Sequence, residues 1–123
     1  MPRPVALDGD VGFETSPAHH PADTNATGEW RLVQSESVSD ESIVANGRAV
    51  QVGATAVWSY VGGSTSSGPL EPIADRAELS PTPTQLRGEK GLGMLLDGEQ
   101  ATGAVEPGNR IVVSVREELI LTN

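Results

Sequence analysis

One short, glycine-punctuated unit occurs three times along this chain, and the recurrence limits the fold more than any single residue does. The copies read RPVALDGD from Arg3 to Asp10, NGRAVQVGA from Asn46 to Ala54 and KGLGMLLDGE from Lys90 to Glu99. Their closing glycines, Gly9, Gly53 and Gly98, stand 44 and 45 positions apart. In each copy small or apolar residues alternate just ahead of the glycine, the pattern of a strand running into a tight turn. A further apolar run and turn precede the second and third copies: Ile43-Val44-Ala45 before Asn46-Gly47, and Thr84-Gln85-Leu86 before Arg87-Gly88. The unit reads as a hairpin plus a strand. A copy this small cannot bury its own apolar face, so a fixed period implies copies packed on one another.

The residues between the copies favour the same architecture. Fourteen glycines and nine prolines are scattered over the 123 residues, and no apolar spacing keeps a helical period beyond about two turns. An all-β chain with almost no helix is expected. Phe13, Trp30, Trp58 and Tyr60 are the only aromatic residues, enough for a single domain over residues 1–123 with a modest core. Strands are expected at Trp30 to Gln34, Ala56 to Val61, Ile111 to Val115 and Leu119 to Leu121. The polar stretch Ser35 to Ser42 leads into the second unit. Glu14 to Gly28 and Ser64 to Pro72 read as loops, and Ser80-Pro81-Thr82-Pro83 and Glu106-Pro107-Gly108-Asn109 as turns.

Charge and chemistry remove several functional classes. A net charge of −9, from seventeen acids against eight bases, opposes binding to nucleic acid or to an anionic membrane surface. No stretch approaches the roughly twenty apolar residues of a membrane span, and MPRPVALDGD lacks the apolar centre of a secretory signal, so cytoplasmic synthesis and assembly are expected. There is no cysteine, hence neither disulfide nor thiolate ligand or nucleophile. A hydrolytic triad needs an imidazole between nucleophile and carboxylate. The two histidines, His19 and His20, lie in a loop where Ser16 and Asp23 are neighbours by composition alone. Glu117-Glu118 and Asp8/Asp10 sit at turns and strand ends, where solvated acids are ordinary. Gly88-Glu89-Lys90-Gly91 lacks the spacing of a phosphate loop. No enzymatic activity is expected.

The units resemble the PAAR-repeat family, small conical proteins at the tip of the spike in contractile injection machines such as type VI secretion systems and phage-tail-like particles. Val44-Ala45-Asn46-Gly47-Arg48-Ala49-Val50-Gln51-Val52-Gly53 is similar to the family's recurring segment, and Pro4 to Asp10 to its opening element. Pro17-Ala18-His19-His20 falls where the first histidine-bearing loop would be. Leu86 to Glu99 is similar to a further copy with an insertion, and Arg110 to Asn123 to the closing strands. The resemblance implies a small conical all-β domain of short strands and hairpins in three pseudo-symmetric repeats. It implies a non-enzymatic tip that caps a trimeric VgrG-like spike, one tip per trimer, and aids puncture of a target membrane without stable insertion. Effector cargo is a further partner in such machines.

A flat, moderately apolar base would meet the spike, and Val50, Val52, Leu95, Ile111, Val113, Leu119 and Leu121 are its candidate residues, with ordinary core as the competing reading for at least half of them. The family holds a zinc ion near the apex with histidines and a cysteine from different repeats. Here only His19 and His20 are offered, and Val57-Trp58-Ser59 and Ala101-Thr102-Gly103 stand where later ligands would be. Adjacent side chains of an extended segment point opposite ways, so a zinc or iron ion at His19 and His20 would need carboxylates or another subunit to complete its shell. The simpler expectation is no cofactor, with both imidazoles in solvent or in local hydrogen bonds and the long loops replacing the metal. A phage-type decoration or baseplate β-protein that trimerises by itself is the alternative from a different class.

Overall fold

A computed structural model describes residues 2–123. Ten strands follow one another: β1 (Arg3–Pro4), β2 (Val11–Glu14), β3 (Glu29–Ala45), β4 (Arg48–Val61), β5 (Ser64–Thr65), β6 (Gly68–Pro69), β7 (Ile73–Leu79), β8 (Gln100–Thr102), β9 (Arg110–Val113) and β10 (Leu121–Thr122). All pairings are antiparallel, and the described residues contain no helix. The sheets are unequal: β3-β4-β7, β2-β9-β8, and the two-stranded pairs β1-β10 and β5-β6.

The three sequence units meet at one place. The Ala6 N–H donates to Leu95 O (2.8 Å), the Leu95 N–H to Gln51 O (2.9 Å) and the Gln51 N–H to Ala6 O (2.9 Å), closing a ring of backbone hydrogen bonds with one residue from each copy. Backbone groups need partners when buried, and the ring supplies them without a continuous sheet. Because alternate residues of an extended chain face opposite ways, Ala6 and Leu95 enter one core while Val5, Leu7, Val50, Val52, Met94 and Leu96, which flank the ring, form a second. The ring spacings are 45 and 44, the reverse of the glycine spacings, so the second copy sits one residue out of the register its glycine suggested.

That offset has a local cause. The first and third copies close in Asp-Gly turns: the Asp10 N–H donates to Leu7 O (2.9 Å) and the Glu99 N–H to Leu96 O (3.2 Å), with Gly9 and Gly98 at φ 95° and 85°. In both, the closing carboxylate reaches back to the same turn, Asp10 Oδ2 accepting from the Leu7 N–H (2.9 Å) and Glu99 Oε1 from the Leu96 N–H (2.5 Å). The second copy has no Asp-Gly pair, and β4 runs straight through Gly53. The turn expected there is instead strand.

β3 and β4 form a long hairpin closed by Asn46-Gly47, both in the left-handed region (φ 52° and 76°) that an Asn-Gly type I′ turn requires. Ala54, Ala56, Trp58 and Tyr60 face inward along β4, and Ala77 and Leu79 do so along β7. The polar stretch Ser35 to Ser42 belongs to β3 throughout. It needs no apolar alternation because Arg31 to Ser37 is exposed on both faces of an edge strand and is held by its pairing with β4. Three register shifts, between Leu32/Gln34, Val38/Ser39 and Asp40/Val44, let this strand bend. Ser80 to Pro83 is extended rather than turned, since Thr82 exchanges two backbone bonds with Met94 (3.1 Å each). Thr84 to Leu86 makes no strand, and the final pairing involves Leu121–Thr122 rather than Leu119. The turn at Glu106 to Asn109 is present, closed by the Asn109 N–H on Glu106 O (3.0 Å).

Candidate functional site

β4 runs from the ring at Gln51 to Tyr60 at the opposite end, roughly 30 Å at strand rise. At the ring end, the seven base residues expected from the sequence separate. Val50 and Val52 lie in the second core and Leu95, Ile111 and Val113 in the first, all fully or almost fully buried. Five of the seven are thus core and have no surface to offer a partner, because strand alternation and the ring turn them inward. Leu119 and Leu121 remain, 45% and 51% exposed.

Two further residues join them. Ile43 and Ala45 pack against the second core and Val44 between them points out; Ile120 packs inward between Leu119 and Leu121. Leu92, two positions before the buried Met94, is also exposed. Three separate stretches, 43–45, 86–92 and 119–121, therefore cover the second core, and each leaves an apolar side chain in solvent. Sequence reasoning missed Val44 and Leu92. Their signal was phase, since Val44 alternates with Ile43 and Ala45 in a hairpin stem that can bury only one face. Around this end Arg48 ties the second copy to the first: its Nη2 meets Asp10 Oδ1 at 2.8 Å, its Nε donates to Asp8 O at 2.8 Å, and Glu117 lies 3.5 Å away.

At the opposite end the loop 15–28 folds over the end of β4. Asp23 is buried and accepts from four donors: the Thr27 N–H (3.3 Å) and Ser64 N–H (3.0 Å) on Oδ1, and the Gly28 N–H (2.8 Å) and the Tyr60 hydroxyl on Oδ2. Burial pushes the Asp23 pKa up, but the Tyr60 hydroxyl and the three N–H groups outweigh it and hold the carboxyl well below its ordinary range. Burial and the facing Asp23 carboxylate push the Tyr60 phenol up, so it stays protonated and donating. Trp30 and Tyr60 meet edge to face at 5.1 Å, and the His20 ring lies 6.2 Å from Trp30 and 6.0 Å from Tyr60.

The histidines are committed locally. Gly28 O can only accept, so His19 Nδ1 carries a proton and donates to it at 3.0 Å, with the Tyr60 oxygen 3.2 Å away. His20 Nδ1 accepts from the Ala22 N–H at 3.0 Å and so carries none. Among the described residues no three His, Cys, Asp or Glu side chains converge on a common point. With the Asp23 oxygens filled by four donors and no third ligand beside the two imidazoles among the described residues, the residues present do not make up the tetrahedral donor set that the resemblance implies. Nor do they form a triad: Ser16 Oγ accepts from the Ala18 N–H (3.1 Å), and neither Ser16 nor Asp23 has an imidazole among its hydrogen-bond partners.

Two more buried carboxylates work as Asp23 does. Asp75 accepts from the Arg76 N–H (2.9 Å), Val105 N–H (2.9 Å), Glu106 N–H (3.0 Å) and Asn109 Nδ2 (3.0 Å), fixing the loop 103–109 on β7. Asp40 accepts from the Ser42 hydroxyl (2.6 Å), the Lys90 N–H (3.0 Å) and the Ser42 N–H (3.1 Å), fixing the loop at 88–90 on β3. Both are held below the ordinary carboxylate pKa. For Asp75 burial acts upward and is outweighed by Asn109 and the backbone donors; for Asp40 the Ser42 hydroxyl leads. Compared with known protein families, characterised proteins and solved structures, the chain matches none of them at a significant level.

Proposed function

We propose that this domain is a non-enzymatic structural cap that closes and sharpens the end of a trimeric β-helical spike in a contractile injection particle. The observation that carries the reading is the closed backbone ring of Ala6, Gln51 and Leu95, one residue from each sequence unit, with exposed apolar side chains on three separate stretches at that end. A single chain can match three equivalent edges of a trimer only by presenting three similar segments about one axis. In this reading the repeats are pseudo-symmetric about the ring, the domain tapers away from it, and assembly takes place in the cytoplasm. The open strand edges at the end of a β-helix are a pairing hazard that a cap removes. Val44, Leu92, Leu119 and Leu121 form the contact, replacing the five buried residues first assigned to it.

The test is titration of the chain into the spike trimer from the same genome. Replacing both Leu119 and Leu121 by serine is expected to weaken binding about tenfold or more, since about 1.4 kcal/mol suffices for that factor, with the thermal midpoint unchanged. Unchanged affinity would remove this face from the contact. A second reading, a decoration or baseplate protein that trimerises by itself, draws support from the exposed edge of β3, where Leu32 and Val33 stand in solvent. Leu32→Ser with Val33→Ser abolishes self-association in that case and leaves spike binding untouched in the first.

A further inference from the structure

We infer that the end of the domain opposite the ring is stapled by the Asp23 carboxylate in the role a metal ion plays elsewhere, and that His19 and His20 serve this knot as hydrogen-bonding partners rather than as ligands. Long loops without strand pairing need a fixed point to hold them, and a metal supplies one by accepting several lone pairs at one place. Asp23 is the same device with the polarity reversed: one centre of negative charge takes four donors from three chain segments. Thr27 and Gly28 come from its own loop, Tyr60 from β4 and Ser64 from the following hairpin. Charge-assisted bonds of this kind are the strong ones.

The surroundings are fitted to this centre. The His19 Nδ1–H donates to Gly28 O with the Tyr60 oxygen beside it, and the Tyr60 hydroxyl donates to Asp23. His20 closes the turn beside it through the Ala22 N–H and covers the Trp30 and Tyr60 rings. The chains approach so closely that a Cβ on Gly28 would lie 2.6 Å from the Tyr60 ring and 2.7 Å from the Gly63 nitrogen, and one on Gly63 would lie 3.1 Å from the Asp23 carboxyl carbon. Such packing leaves the knot closed whether or not a metal is supplied. The knot does not depend on the cap reading.

The experiment is hydrogen exchange with elemental analysis on the purified chain, without any spike, after EDTA treatment and after addition of equimolar zinc. No stoichiometric metal is expected in the untreated protein, and protection of residues 15–28 and 62–65 should be the same in all three states. Asp23→Asn should speed exchange in these two segments about tenfold or more while the amides of Ala6, Gln51 and Leu95 keep their protection. Should that variant fail to fold, Tyr60→Phe removes one donor from the same knot without changing its apolar packing and should loosen the same segments to a smaller extent. One metal ion per chain whose removal deprotects 15–28, or loop protection indifferent to both substitutions, would overturn the inference. Failure of spike binding would leave it untouched.

Discussion

The ring end and the loop end of this domain combine apolar burial and buried charge in different proportions. At the ring, six apolar side chains and three backbone bonds make the centre, and two buried carboxylates fix its rim, Asp10 on the Leu7 N–H and Arg48, and Asp40 on the Ser42 hydroxyl and the Lys90 N–H. At the loop end, Asp23 and Asp75 each gather four donors and fix long connections onto β4 and β7. The contrast shows how a chain with four aromatic residues and no cysteine closes both ends. Apolar burial dominates where the three units converge, and buried charge takes a larger share where the long loops 15–28 and 103–109 are tied down. Stability at the first end is therefore collective and at the second local.

The sharpest way to break the ring end is Gly93→Ala. A Cβ there would lie 1.8 Å from Thr82 O, in the backbone pairing that positions Met94, and the cost should exceed about 4 kcal/mol, seen as loss of cooperative unfolding by circular dichroism. Leu7→Ala should cost about 3 kcal/mol and lower protection throughout the domain. Asp75→Ala, at the other end, should cost about 2–3 kcal/mol because several N–H groups lose their acceptor. Its exchange signature separates the two mechanisms, with residues 103–109 opening while the ring stays protected.

Acid acts on the buried carboxylates directly. Asp23, Asp40 and Asp75 have folded pKa values below the unfolded value of about 3.8. Such groups contribute stability that is fully present above the unfolded value and is lost as pH falls through the folded one. Denaturant midpoints should thus be nearly flat from about pH 7 to pH 5 and fall below about pH 4, with loops 15–28 and 103–109 opening before the ring. A midpoint falling already near pH 6 would contradict this. The smallest effect is expected at the surface: Val44→Ser should change stability by no more than about 0.5 kcal/mol, measured by urea denaturation.

Much of the fold was legible because local chemistry and tertiary position agree. Asn46-Gly47 is both a hairpin signal and the hairpin, and Ala56 to Val61 alternates as it packs. The three units were visible and do converge. What failed was whatever depended on a partner elsewhere in the chain. Ser35 to Ser42 carries no strand pattern because its pairing with β4 alone makes it one. Gly53 resembled a turn because it matched Gly9 and Gly98 in spacing, yet it lacks the aspartate that shapes theirs. The apolar residues chosen for a base were chosen for being apolar, and the same property put Val50, Val52, Leu95, Ile111 and Val113 inside. Asp23 gave no sign of its role, since an aspartate in a polar loop is recognised as a centre only when Tyr60 and Ser64 are brought to it.

The cap proposal stands or falls on native mass spectrometry of the purified chain, alone and mixed with its spike trimer. It predicts a monomer that forms a complex of one chain with three spike subunits. A stable homotrimer that ignores the spike would contradict it.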